Sequence, residues 1–144
     1  MPLSLTAALM STVAWAEMRA VAVPTANFRE GPSTQHDILF SADRYYPVEV
    51  LERVDGWVKT RDFEGDVAWV AEWLLVAQPS VVVKVPCAIV REGPSKDVPI
   101  AFKVERGEAL ERGKRQGEWL QVTDVDGRKG WVHQDVVWGE EKAP

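Results

Sequence analysis

The sequence predicts an all-β chain folded as two tandem small barrels, each of about five short strands. Three observations predict it. First, Phe28-Arg29-Glu30-Gly31-Pro32-Ser33 returns 62 residues later as Val90-Arg91-Glu92-Gly93-Pro94-Ser95, and the same offset relates Val23-Pro24 to Val85-Pro86, Trp57 to Trp119 and Trp69-Val70 to Trp131-Val132. A gapless repeat of this length is a duplicated structural unit. Second, the segments between loop residues are short, β-branched or alternating, which is the strand signature. Third, no stretch of eleven residues after the first sixteen carries a helical period.

The elements follow in order within each copy. Ala20–Val23 and Val81–Val85 are β-branched runs closed by Pro. Gly-Pro at 31–32 and 93–94 forces a loop, because proline fixes φ and has no N–H to donate. Pro47–Leu51 alternates with Val48 and Val50 on one face. Trp57–Thr60 and Trp119–Val122 are strands that run into the turns Phe63-Glu64-Gly65-Asp66 and Val125-Asp126-Gly127-Arg128. Glycine there supplies the positive φ of a tight hairpin. The chain returns through Ala68-Trp69-Val70 and Gly130-Trp131-Val132. Many short strands in so few residues imply a strongly bent barrel.

The organisation is then residues 1–16 as a signal peptide, 17–78 as the first repeat, 79–139 as the second and 140–144 as a C-terminal tail. Residues 1–16 hold no charged side chain, carry an apolar run from Leu3 to Val13 and end in Ala14-Trp15-Ala16, the small-x-small form of a cleavage site. The run is shorter than the roughly 20 apolar residues a bilayer span needs, so no stable membrane insertion is expected once it is removed. The expected location is exported, periplasmic or otherwise extracytoplasmic.

Several spaced signatures, each present twice, resemble the bacterial SH3-like (Src homology 3) domain. The first copy carries Asn27-Phe28-Arg29-Glu30-Gly31-Pro32-Ser33, Asp55-Gly56-Trp57-Val58 and Gly65-Asp66-Val67-Ala68-Trp69-Val70. The second carries Arg91-Glu92-Gly93-Pro94-Ser95, Gly117-Glu118-Trp119-Leu120 and Asp126-Gly127-Arg128-Lys129-Gly130-Trp131-Val132. The resemblance implies two SH3-like barrels in an exported binding protein, with peptidoglycan or a protein or peptide segment as partner. Trp57 and Trp119 match the tryptophan of the SH3 ligand groove, where an indole offers a flat apolar face and one N–H donor. Tyr45 and Tyr46 stand where the family has a glycine-containing loop, retained in the second copy as Gly107, and join the candidate groove residues. Leu74 and Val136 replace the family's closing tyrosine, which removes one wall of a proline-ligand groove. The alternative reading is a structural or adaptor protein whose barrels dock on a partner in the cell envelope.

Composition excludes other functions. Seventeen Lys plus Arg against 22 Asp plus Glu give a net charge of −5, which disfavours a nucleic-acid partner. Two histidines, His36 and His133, and one cysteine, Cys87, form no metal-ligand spacing and no nucleophile–base pattern, so neither catalysis, metal nor cofactor is expected. Cys87 reads as a small buried hydrophobe on a strand. Trp69 and Trp131 read as packing residues. Arg29 and Arg91, flanking the Gly-Pro loops, could take a ligand carboxylate or hold the loop through its carbonyls. Charge separates the repeats: residues 17–78 hold six basic and eleven acidic side chains, net −5, whereas residues 79–144 hold eleven of each. The basic loops at Arg112-Gly113-Lys114-Arg115 and Arg128-Lys129 mark the second repeat as the one that attracts an anion, or the first repeat itself.

Overall fold

The computed structural model describes residues 16–139. The leader reading falls outside them except for Ala16, and the tail reading falls outside them altogether. The first sheet holds β1 (Met18–Val21), β2 (Thr25–Arg29), β3 (Ile38–Asp43), β4 (Pro47–Val54), β5 (Trp57–Arg61), β6 (Val67–Ala71) and β7 (Leu75–Val76). The second holds β8 (Ser80–Val83), β9 (Cys87–Arg91), β10 (Ile100–Glu105), β11 (Ala109–Gln116), β12 (Trp119–Thr123), β13 (Lys129–His133) and β14 (Val137–Trp138). Strand order is β3-β2-β6-β5-β4-β1-β7 in the first and β10-β9-β13-β12-β11-β8-β14 in the second, the same order advanced by seven. Every pairing is antiparallel and lies within one repeat. The tally exceeds five per copy partly because two-residue strands such as β7 and β14 are defined by pairing with β1 and β8, not by any side-chain pattern. Register shifts between Val50 and Glu52 and between Arg112 and Arg115 bend the long strands β4 and β11 at corresponding places.

Side chains alternate across each strand, and the inward set makes the core. Phe28, Val48, Val58 and Val70 are fully buried in the first barrel; Val90, Leu110, Leu120 and Val132 occupy the same positions in the second. The volumes compensate. The first barrel fills its centre with Phe28 stacked on Phe40 at 4.8 Å and surrounds it with Ala42, Val48 and Val58. The second replaces the ring by Val90 and enlarges the neighbours to Val104, Leu110 and Leu120. Trp69 and Trp131 are not core residues. They alternate with Ala68 and Val70, or Gly130 and Val132, and so lie half-buried on the outer face.

Two turns and two loops are built from repeated devices. Asp62, itself buried, accepts the N–H groups of Glu64 (3.0 Å) and Asp66 (2.9 Å); Asp124 accepts those of Asp126 (3.0 Å) and Arg128 (2.8 Å). Gly65 and Gly127 take φ of 84° and 85° in these turns, as the sequence demands. Arg44 donates to the Ala22 carbonyl and Arg106 to that of Lys84.

Only Ala77, Gln78 and Pro79 separate β7 from β8, and the barrels touch. The Arg106 guanidinium lies 5.0 Å from the Phe63 ring centroid, Glu111 lies beside Tyr45, and Gly139 lies so close to Pro47 that a Cβ there would approach its ring to 3.0 Å. No helix among the described residues is long and apolar enough to cross a membrane.

Candidate functional site: two equivalent tryptophan grooves

Each barrel carries an open groove between the strand entering the Gly-Pro loop, the start of the next hairpin and a single 3₁₀ turn. In the first barrel the groove is about 390 Å³ and is lined by Thr25, Asn27 and Arg29 of β2, Thr34 of the loop, Gly56, Trp57, Ala71, Trp73 and Leu74. In the second it is about 610 Å³ and is lined by Cys87, Ala88, Ile89 and Arg91 of β9, Pro94–Asp97 of the loop, Glu118, Trp119, His133 and Val136. Shifted by 62, eight of the nine residues of the first groove land on lining residues of the second. The exception is Trp73, whose counterpart is Asp135.

The structure therefore brings Trp57 and Arg29 together, and Trp119 and Arg91. Both indoles are half-buried, each at the first position of a strand (β5, β12) whose next residue, Val58 or Leu120, points into the core. Both arginines line the groove yet turn their guanidinium into the loop. Arg29 donates to the carbonyls of Thr34 (3.1 Å) and His36 (3.0 Å), and Arg91 to that of Val98 (3.0 Å). Tyr45 and Tyr46 lie elsewhere. Tyr46 packs edge-on against Phe28, Phe40 and Phe63 and donates its hydroxyl to Asp62 at 2.8 Å. Burial first, and then that hydrogen bond, push its phenol far above the usual range. Tyr45 sits at the junction with φ of 74°, where the second copy has Gly107 at 90°. Burial, with Glu111 beside it, raises its phenol as well.

The 3₁₀ turns that close the grooves are Glu72–Leu74 and Gln134–Val136. Each is tied to the preceding hairpin by an arginine at the same place: Arg53 to Glu72 at 3.2 Å, and Arg115 to Gln134 at 2.7 Å. Arg53 also grips Glu17 through two hydrogen bonds of 2.6 and 2.9 Å, which hold the Glu17 carboxyl below its usual range. In the second groove His133 caps its own turn. Its Nδ1 accepts the Asp135 N–H at 3.1 Å, so Nε2 carries the proton and donates to Glu118 at 3.2 Å. The imidazole stands edge-on to Trp119, with centroids 5.4 Å apart.

Three residues escape a reading of the sequence alone. Trp73 is 77% exposed on the rim of the first groove. Cys87, expected in the core, is exposed in the second groove, because Ala88 and Val90 take the inward positions of β9 and alternation turns Cys87 outward. His133 lines the same groove. The repeat itself holds the signal for the first two: their counterparts, Asp135 and Thr25, are polar. Among the described residues no group of three or more His, Cys, Asp or Glu is placed to hold a metal ion.

Comparison with known proteins places this geometry. Residues 24–76 match one sequence profile described as a bacterial SH3 domain, and residues 84–139 match a second with the same description. Over 46 residues the chain is 39% identical to "Probable cell wall amidase LytH" of Staphylococcus epidermidis, covering 31% of this chain and 16% of that protein. Over 67 residues it is 33% identical to "Putative N-acetylmuramoyl-L-alanine amidase YrvJ" of Bacillus subtilis strain 168, covering 46% of this chain and 13% of that protein. The chain thus spans about a seventh of the length of these curated relatives. Among solved structures it is similar to NlpC1 from Trichomonas vaginalis, at 15% identity and TM-score 0.38 over 97% of this chain and 51% of that one. It is also similar to an NlpC/P60 family protein from Bacillus cereus ATCC 10987, at 17% identity and TM-score 0.39 over 87% and 57%.

Proposed function

Because the chain belongs to the bacterial SH3 domain family, with two copies in tandem, we propose that it is a non-catalytic binding module. It holds peptidoglycan, or the peptides within it, outside the cytoplasm at the cell envelope. The observation that carries this reading is the pair of equivalent grooves, each combining an accessible indole with a loop fixed by an arginine. A concave, largely apolar surface with a few placed polar groups is the ordinary form of a ligand site. The names of the two curated relatives, a cell wall amidase and an N-acetylmuramoyl-L-alanine amidase, point to the same material.

The second groove also supports the non-catalytic half of the reading. Cys87 and His133 both line it, but the imidazole has one nitrogen on Glu118 and the other on the Asp135 amide. A general base must reach the proton it removes, and neither nitrogen is directed to the thiol. Sedimentation of the purified chain with insoluble peptidoglycan tests the proposal. Wild type should pellet, and Trp57→Ala with Trp119→Ala together should stay in solution while still folded. A double variant that pellets like wild type would show that binding does not use the grooves.

A further inference from the structure

We propose that the first groove is a saccharide site: it takes an uncharged sugar ring against the indoles of Trp57 and Trp73, and the second groove, of the same shape and descent, does not. The inference rests on the binding-module reading and names the part of the ligand that one groove recognises.

Trp73 is the residue that sets the first groove apart, its counterpart in the second being Asp135. A tryptophan that leaves 77% of its surface in water contributes little to the core of its own barrel, since large aromatics earn their stabilisation by burial. Nor is its exposure that of a loose end: the turn that carries it is tied to β4 through Glu72 and Arg53. Trp57 lines the same groove, so two indoles are presented there. The remaining polar lining is neutral, with Thr25, Asn27 and Thr34 offering hydroxyls and an amide. The one charged side chain, Arg29, directs its guanidinium at two loop carbonyls.

A sugar ring has the complementary chemistry. Its axial C–H bonds make an apolar face that stacks on an indole, and its hydroxyl rim pairs with neutral amides and hydroxyls. An ammonium group would lose water in this groove without meeting a counter-charge, and the Arg29 guanidinium that a carboxylate would seek already donates to the Thr34 and His36 carbonyls. The second groove shows the contrast at matched positions. Asp135 stands for Trp73, Glu118 for Gly56, His133 for Ala71 and Lys96 for Thr34. One indole and a charged rim suit an ionic segment and not a sugar face.

The test titrates the full chain with N-acetylglucosamine tetrasaccharide, a neutral and peptide-free probe, and separately with free stem peptide, by calorimetry. Wild type should bind the tetrasaccharide. Trp73→Asp, which installs the residue of the second groove, should weaken it about 10- to 30-fold, the loss typical of a contact hot spot. Trp73→Phe should recover part of the affinity. Because Trp73 is exposed, both variants should melt with wild type, and Asp135→Trp should add affinity at the second groove. Tetrasaccharide affinity unchanged in folded Trp73→Asp overturns the proposal. So does a wild-type chain that pellets with whole peptidoglycan yet ignores the tetrasaccharide, which leaves the binding-module reading standing. A chain that binds neither peptidoglycan nor probe removes both.

Discussion

Where the first barrel sets the indole of Trp73 on the rim of its groove, the second sets the carboxylate of Asp135; where the first buries the ring of Phe28, the second buries the two methyls of Val90. The backbone around these pairs is the same. Strand order, the bends in β4 and β11, the aspartate-bound turns and the arginine-held loops all repeat. The comparison teaches that two kinds of substitution follow different rules. Inside, a change at one position is answered by its neighbours, so that total volume is kept. On the groove, Trp73/Asp135, Gly56/Glu118 and Ala71/His133 change together and are answered by hydrogen bonds, His133 bonding Glu118 and the Asp135 amide, without any conservation of volume, because solvent imposes no packing constraint. Divergence there is free to follow a ligand.

The largest effect should come from breaking the interior match. Phe28→Ala removes a fully buried ring stacked on Phe40 and should cost about 3–5 kcal/mol. Val90→Ala removes two methyls from the same place in the second barrel, at roughly 2 kcal/mol. Thermal unfolding of the two single variants gives the ratio, and equal losses would refute the volume-compensation account. Gly130→Ala probes the same compensation from the other side. A Cβ there would meet Val90 Cγ1 at 2.4 Å and the Arg91 carbonyl at 2.7 Å, so this small overpacking should cost about 1–3 kcal/mol, although the first barrel accommodates Ala68 at the matching position.

The turns come next. Asp62→Ala strips the acceptor from two backbone N–H groups and from the Tyr46 hydroxyl, a loss of about 1–3 kcal/mol in melting experiments. The matching Asp124 adds a pH dependence. Burial alone would raise its carboxyl, but the Arg128 amide and guanidinium, aided by the Asp126 amide, hold it below the ordinary value. A depressed folded pKa means that the unfolded chain binds the proton more readily. The stabilisation is therefore present above about pH 4 and fades as pH falls through the lower folded value. Asp124→Asn should flatten stability against pH below about pH 4 and leave the Asp62 turn unchanged. The smallest effect belongs to Cys87→Ser. An exposed thiol on the groove should change unfolding free energy by less than about 0.5 kcal/mol, whereas a larger loss would return Cys87 to the core.

Much of this was legible in the sequence because the chain states its pattern twice. The offset of 62 aligns both turn glycines, both Gly-Pro loops and both groove indoles, and alternation in β5 and β12 separates Trp57 from Val58 and Trp119 from Leu120. What stayed hidden was facing. Cys87, Trp69 and Trp131 are apolar residues of a kind that burial favours, and a short strand gives each only one or two neighbours from which to infer its side. Tyr46 was ambiguous for another reason. Its matching residue is Glu108, so the repeat suggests an exposed position, and only the aromatic cluster with Phe28, Phe40 and Phe63, found in the first barrel alone, draws its ring inward.

The three-residue link and the contacts across it have a consequence for valency. With Arg106 seated over Phe63, Glu111 beside Tyr45 and Gly139 pressed on Pro47, the barrels touch across the link, and contacts of this kind narrow the range of separations the two grooves sample. A repetitive polymer that engages one groove then presents its next segment to the other at a high effective concentration, and avidity can exceed either single affinity by roughly 10²–10⁴. The gain is confined to ligands whose own repeat matches the spacing. In such a molecule two shallow sites would select for period as well as for chemistry.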